Sequence, residues 1–413
     1  MRNVPQQSPK RTKERLVVVS ELYYPELTST GYYLTAVAEY LAADHDVIAV
    51  CGQPNYSARG QTAPREEERN GVSVRRVRST RFDKNSLVGR AINMLTFGVA
   101  VFIELLSLLK QGDKVLVVTT PPISPLAVSA AALLQGASYN LLIHDAHPEG
   151  LVAMGLARPT SFGVRIANAL NRRVYKHTAK IIVVGRDMQE LLERKTAGLD
   201  IPITYIPNWA ELETVHPVDR RSSPLLNRLG LSEKFIIGYA GNLGRPNDLE
   251  TIVEAATGLA DEPRFHFLFI GTGAKEAYLR SEIEHRGLSN FTLLGPLPRS
   301  EQSEFLGACD VGIVPLISGM KGGAMPSRTY NLMAAGRPVL GICEGGSELS
   351  RVIEEERVGR WVEPGNSNAL IEIIRKLSLD AEELIAMGDR ASRTAAERYS
   401  GEVILERYRE ELS

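Results

Sequence analysis

The feature that most constrains the fold is a structural plan that the chain contains twice. Residues 15–51, "RLVVVSELYYPELTSTGYYLTAVAEYLAADHDVIAVC", read as an apolar run, a loop ending in Thr30-Gly31, a helix and a second apolar run. In that helix Leu34, Val37, Ala38 and Leu41 recur at i, i+3, i+4, i+7, which gives one buried stripe. Residues 235–271 repeat the plan, with Leu249, Ile252, Val253 and Ala256 in the same spacing. Further strand-like runs follow in each half: "KVLVVTT", "YNLLIHD" and "KIIVVG", then "FTLLG", "VGIVP" and "RPVLGI". Near-continuous Val, Ile and Leu between helices predict parallel sheets covered on both faces. The expected class is α/β, with two Rossmann-like, doubly wound domains facing across a cleft.

Length agrees, because 413 residues exceed what one core organises. The break falls within residues 203–231, where Pro, Asn and Ser interrupt the periodicity. A net charge of -1 lacks the basic surface that nonspecific nucleic-acid binding needs, so no nucleic-acid partner is expected. Cys51, Cys309 and Cys343 lie far apart in apolar surroundings, which excludes a disulfide framework or C-x-x-C metal spacing and implies a reducing cytoplasm. Residues 1–14 are expected to form a flexible basic tail without a signal-type apolar core. Residues 91–109 approach membrane-spanning length, but Asn93 and Glu104 interrupt them, predicting a packed or interfacial helix and a peripheral membrane contact.

Ligands of open α/β sheets sit at the carboxyl ends of the strands. That edge holds Tyr24–Gly31, "HDAHPEG", "GNLGR" and Gly271–Gly273. A dinucleotide fingerprint is absent, because "GTGAKEA" has Glu276 at the third glycine position, and no G-x-x-x-x-G-K-[ST] occurs. The D-x-D of Asp44 and Asp46 lies at a strand entry, on the wrong edge for a metal-bound ligand. In "LLIHDAHPEG", His144, Asp145, His147 and Glu149 follow a buried strand, where such groups orient a hydroxyl or relay its proton; a plain solvated loop is the alternative. In "GYAGNLGRPND", glycines and Arg245 at a helix entrance suit an anion. "MKGGAMPSRTYNLMAAGRPV" repeats the logic with Lys321, Gly322, Gly323, Ser327 and Arg328 ahead of a helix expected from Thr329.

Taken in order, "YYPELTSTGYYLTAVAEYLA", "CGQPNY", "HDAHPE", "YIPNW", "YAGNLG", "FIGTG" and "PSRTYNLMAAGRPV" resemble the family-4 retaining glycosyltransferases of the GT-B fold. The likeness covers nearly the whole chain and points to bacterial enzymes that build capsule, colanic-acid or O-antigen sugars. It implies an acceptor-binding domain at 15–206, a nucleotide-sugar-binding domain at 207–390, and a helix at 391–413 that crosses back to the first domain. The family's E-x(7)-E falls on Gly323 and Asn331, so both acids are missing, and its diphosphate-binding Arg and Lys fall on Asn242 and Asn247. The resemblance implies a donor site of Gly241, Asn242, Gly244, Gly271, Thr272, Leu297, Gly322, Gly323, Ser327 and Asn331. Asn331 would meet the ribose, and the Gly322-Gly323 amides the diphosphate. It implies acceptor contacts from Glu26, Thr30, Gly31 and His144, with Gly31 leaving room for the ligand. The catalytic set is Asp145, His147, Glu149, Arg245, Lys321 and Arg328.

The implied activity is a retaining, metal-independent hexosyl or N-acetylhexosaminyl transfer to a hydroxyl, with a lipid-linked acceptor. The nucleotide-diphosphate sugar is a co-substrate, and no separate cofactor is expected. A nucleotide-sugar 2-epimerase and a noncatalytic nucleotide-sugar binder share the architecture.

Overall fold

A computed structural model describes residues 13–55, 61–82 and 87–413. Most of the predicted N-terminal tail lies outside the described residues. Among the described residues, fourteen strands form two sheets. The first contains β1 (Arg15–Ser20), β2 (Asp46–Cys51), β3 (Glu66–Arg69), β4 (Val72–Arg76), β5 (Lys114–Val118), β6 (Ser138–Ile143), β7 (Lys180–Val183) and β8 (Ile203–Tyr205). Its order is β3-β4-β2-β1-β5-β6-β7-β8, with β3 antiparallel to β4. The second contains β9 (Phe235–Ala240), β10 (Phe265–Ile270), β11 (Phe291–Leu294), β12 (Val311–Pro315), β13 (Val339–Ile342) and β14 (Gly359–Val362), all parallel, in the order β11-β10-β9-β12-β13-β14.

The doubly wound reading holds for both sheets. Residues up to 142 together with 177–180 form one compact unit, and 143–176 together with 181–413 form the other. In the second unit the core strands are apolar on both faces; all six residues of β10 are buried. Tyr239 stacks on Phe269 at 4.9 Å and Phe267 on Phe291 at 5.7 Å, so aromatic pairs hold β9, β10 and β11 together. The helix Leu249–Gly258 covers this sheet with the predicted Leu249, Ile252, Val253 and Ala256, and Asp248 caps it by accepting the Thr251 N–H at 3.0 Å. Strand order reverses between β9 and β12, which opens a crevice at their carboxyl ends.

In the first unit the helix Leu87–Leu108 has the length and apolarity to cross a membrane, with one third of its most apolar window buried. Its inner face carries Phe97, Val101 and Leu105, and Asn93 on that face bonds Thr80 and the Phe82 backbone. Those bonds anchor the helix to its own unit. Val88, Ile92, Leu95, Val99 and Ile103 form an exposed outer stripe. At the chain end, the helix Gly401–Leu412 lies against β8: Arg407 donates to the Tyr205 carbonyl, and Thr204 donates to Glu411 at 3.4 Å.

One backbone contact is decisive at the crevice. A Cβ on Gly271, whose φ is +149°, would stand 1.9 Å from the Gly241 carbonyl oxygen. Gly271→Ala therefore forces apart the turns that follow β9 and β10. We expect a loss of about 2–3 kcal/mol in urea unfolding; a loss below about 0.5 kcal/mol would mean that these turns relax freely.

Candidate functional site

The site is built on the carboxyl edge of the second sheet. β9 ends at Ala240, and Gly241, whose φ is +144°, turns the chain sharply. Asn247 donates to the carbonyls of Asn242 at 2.9 Å and Gly244 at 3.2 Å, so its role is to hold the turn. Against this turn lies Arg328, the first residue of the helix Arg328–Ala334, which starts one residue earlier than expected. The Arg328 guanidinium carbon is 4.3 Å from the centre of the Tyr239 ring and 3.3 Å from where a Gly241 Cβ would be. Its Nη1 is buried and has no hydrogen-bond acceptor among the described residues. Cation–π contact with Tyr239 orients this cation, and glycine at 241 gives it room. Arg245 stands exposed at the far end of the same turn, and Asn242 is exposed within it.

Two other candidate segments meet within the same unit. The loop after β6 and the glycine loop after β12 form a short backbone ladder: Asp145 bridges Ala324, and Ala146 donates to the Gly323 carbonyl at 2.8 Å. His144 is buried, and burial pushes its imidazole down to about 4, so it is neutral at ordinary pH. Asp145 keeps an accessible side chain, yet the protein packed around it raises its carboxyl above the usual range, with His147 opposing. Glu149 opens the short helix Glu149–Ala153, and its Oε1 accepts from Lys195.

The glycine loop differs from expectation. The Gly322 N–H donates to Asp187 Oδ2 at 2.8 Å, and the Gly323 N–H donates to the Met320 carbonyl at 2.8 Å. The N–H groups of Gly319 and Lys321 both donate to Glu344 Oε2, at 2.9 and 3.0 Å. Lys321 Nζ donates to the Gly345 carbonyl at 2.9 Å. These amides are consequently no free cradle for a diphosphate, because the protein's own acceptors already satisfy them. Ser327 occupies the N-cap without a side-chain capping bond.

Asn331, expected at the ribose, is engaged within the protein. It is buried, its Oδ1 accepts the Glu211 N–H at 3.0 Å, and its Nδ2 donates to Glu211 Oε1 at 2.7 Å. Glu211 in turn accepts from Arg299 Nε at 3.0 Å. A ribose hydroxyl would have to compete with this pairing. Sequence reasoning missed Glu211, Asp187, Glu344 and Lys195, because each acts through contacts remote in the chain. Around the β10 turn, Thr272 pairs with Glu276 through its hydroxyl, and Leu297 packs on the small core that includes Leu268 and Ile270.

In the first unit, two acceptor candidates have internal work. Glu26 is buried, and its Oε1 accepts the Asn55 N–H at 2.5 Å. Gly31 is buried, and a Cβ there would lie 2.9 Å from the Glu26 carbonyl oxygen. Its missing side chain makes room for the Glu26 backbone. Thr30 lies in the first turn of the helix Ser29–Leu41. Glu21, directly after β1, is raised to about 7 by burial and then by Glu26, with Arg90 opposing. Among the described residues no three His, Cys, Asp or Glu side chains gather as a metal ligand set.

Comparison with known proteins decides the family. Residues 29–209 match the Glycosyl transferase 4-like domain, and residues 226–394 match Glycosyl transferases group 1. The chain belongs to the GT-B glycosyltransferases. This glycosyltransferase is 29% identical over 395 residues to probable glycosyltransferase WbjE of Pseudomonas aeruginosa, covering 95% of this chain and 96% of the relative. It is 26% identical to the putative colanic acid biosynthesis glycosyl transferase WcaI of Escherichia coli K12, covering 92% and 96%. The fold matches Anabaena HepE in complex with UDP-glucose at a TM-score of 0.72 and 15% identity, covering 96% of this chain and 99% of that one.

Glu21 gives the glycosyltransferase a measurable pH dependence. A carboxyl whose folded value is about 7, against 4.5 ordinarily, favours the folded state below pH 4.5 and loses that contribution as pH rises through 7. Glu21→Gln cannot ionise. It should be more stable than the parent by roughly 1–3 kcal/mol at about pH 8 and no more stable at about pH 4.5, measured by denaturant unfolding at both values.

Proposed function

We propose that this glycosyltransferase moves a sugar from a nucleoside-diphosphate donor to a hydroxyl acceptor, with retention at the anomeric carbon, during assembly of a cell-surface polysaccharide. The observation that carries the donor class is Arg328. A buried guanidinium N–H without an acceptor among the described residues, at the carboxyl edge beside the β9 turn, is a site that an anion completes. The UDP-glucose held by the structural neighbour HepE is a donor of that class. The polysaccharide context rests on the near full-length likeness to WcaI, whose name carries colanic acid biosynthesis.

In the proposed reaction the bond between the sugar C1 and the β-phosphate oxygen breaks, and a bond from C1 to the acceptor oxygen forms on the same face. The departing phosphate takes the acceptor's proton. Arg328, with Arg245 at the turn, offsets the charge that develops on the leaving group. Guanidinium groups take the place of a divalent cation in this scheme, so the reaction is metal-independent. Asp145 and His147, on the loop laddered to Gly323–Ala324, orient the acceptor hydroxyl.

Two exposed apolar faces support a lipid-linked acceptor and peripheral contact with the cytoplasmic face of a membrane. One is the stripe Val88, Ile92, Leu95, Val99 and Ile103. The other is Phe162, Ile166 and Leu170 on the helix Phe162–His177, with the exposed Arg158, Arg165 and Arg173 nearby in the chain. Apolar side chains beside arginines suit an anionic lipid surface.

Arg328→Ala should weaken nucleoside-diphosphate binding by about 1.5–3 kcal/mol in calorimetry, with the fold intact by circular dichroism. Unchanged affinity would take Arg328 out of the donor site. Excess EDTA should leave the transfer rate from a nucleotide sugar to a membrane lipid extract unchanged. A rate that collapses and returns with added magnesium or manganese would overturn the metal-independent scheme.

A further inference from the structure

Beside the ladder that joins the two loops is a cavity of about 290 Å³ lined by Pro148, Glu149, Val152, Ala153, Pro159, Val164, Asn168 and Gly319. Its lining is mostly apolar, and two polar residues stand out. Glu149 Oε2 and Asn168 Oδ1 are both buried without a hydrogen-bond partner among the described residues. Each unmet buried acceptor costs free energy, a carboxylate more than a neutral group. Lys195 holds the other Glu149 oxygen, so the carboxylate is braced on one side and unsatisfied on the other. Glu149 can only accept when ionised, whereas the Asn168 amide can also donate.

We propose that this cavity is the subsite that binds one sugar ring of the acceptor, with Glu149 and Asn168 each taking a hydrogen bond from a ring hydroxyl. This rests on the reading of the chain as a sugar transferase and extends it by naming where the acceptor is read. The chemistry that fits is a neutral polyhydroxylated ring: hydroxyl donors for two oxygen acceptors, and C–H faces for Val152, Ala153, Val164 and the two prolines. An anionic ligand would meet Glu149 unfavourably, which separates this cavity from a phosphate site. Its volume lies at the lower limit for small-molecule pockets and suits one ring, with the rest of the acceptor outside.

The helix Phe162–His177 supplies one wall of the subsite. Val164 and Asn168, four residues apart on one face, line the cavity. Phe162, Ile166 and Leu170, also at intervals of four, lie on a different face and are exposed. Glu149 is, on this account, a positioning residue for the acceptor; the proton goes to the departing phosphate.

The test uses the full chain and a panel of methyl glycosides of glucose, galactose, mannose, fucose and N-acetylglucosamine at millimolar concentrations, followed by saturation-transfer NMR. At least one glycoside should bind saturably. Asn168→Ala should weaken that binding at least tenfold, Glu149→Gln should weaken it in the same direction, and Arg328→Ala should leave it unchanged. Where transfer can be measured, Asn168→Ala should raise the acceptor KM and leave the donor KM and kcat near the parent values. Absence of saturable binding by every glycoside, binding indifferent to Asn168→Ala, or competition by nucleoside diphosphate would overturn the subsite. Nucleotide affinity of the Asn168 variant, measured in parallel, separates the two proposals: a chain that binds glycosides here but no nucleoside diphosphate loses the donor reading and keeps the subsite.

Discussion

The pair of backbone contacts between residues 145–146 and 323–324 is the constraint on which the candidate site depends. Neither loop has regular secondary structure there, so each would otherwise leave its polar backbone groups to solvent. By bonding Ala146 to Gly323 and bridging Asp145 to Ala324, the chain converts two loops into one short ladder. Asp145 and His147 are thereby held at a set distance from the glycine loop. The Asp187 carboxylate braces the other side of that loop through Gly322, and Glu344 braces it through Gly319 and Lys321. The amides of this glycine-rich loop are taken up by carboxylates from two other segments and by the loop's own Met320 carbonyl.

That saturation redistributes the chemistry of the site. Positive charge for a leaving group cannot come from the Gly322 and Gly323 amides, so it has to come from side chains. Lys321 is already tied to the Gly345 carbonyl, which leaves it able to contribute a field at that point more readily than a direct bond. Arg328 is in the opposite condition: aligned on Tyr239, packed against Gly241, and short of one acceptor. Of the cations expected from sequence, Arg328 therefore has the geometry most suited to closing on a phosphate.

What the sequence made legible follows from the range of the interactions involved. Helix faces such as Leu249, Ile252, Val253 and Ala256, and the apolar β10, depend on period and composition, which are local, and both sheets matched the expected class. The helix start at Arg328 was legible to within one residue because a Pro-Ser precedes it, a local signal. Gly31 shows the limit of such reading, because in the sequence a missing side chain looks the same whether a ligand or the Glu26 carbonyl lies near it. The Asn331 pairing was not legible because its partner, Glu211, is 120 residues away in the chain. Asn168 carried no signal at all, since an asparagine within an amphipathic helix is ordinary until its oxygen is found buried beside Glu149.

The loss of both motif acids takes on a different meaning once these partners are placed. Positions 323 and 331 carry no carboxylate, yet the structure brings Glu211 to within 2.7 Å of Asn331 and Asp187 to within 2.8 Å of the Gly322 amide. The neighbourhood is not poor in acids; its acids arrive from other segments and are spent on bracing. A carboxylate at 331 would face Glu211 at hydrogen-bonding distance, two like charges in a buried place, which raises one of their pKa values or drives them apart. Asn331 avoids that conflict, since its amide donates to the Glu211 carboxylate and accepts from the Glu211 backbone. An amide at 331 therefore suits the Glu211 pairing, while Arg299 supplies the cation that meets the same carboxylate.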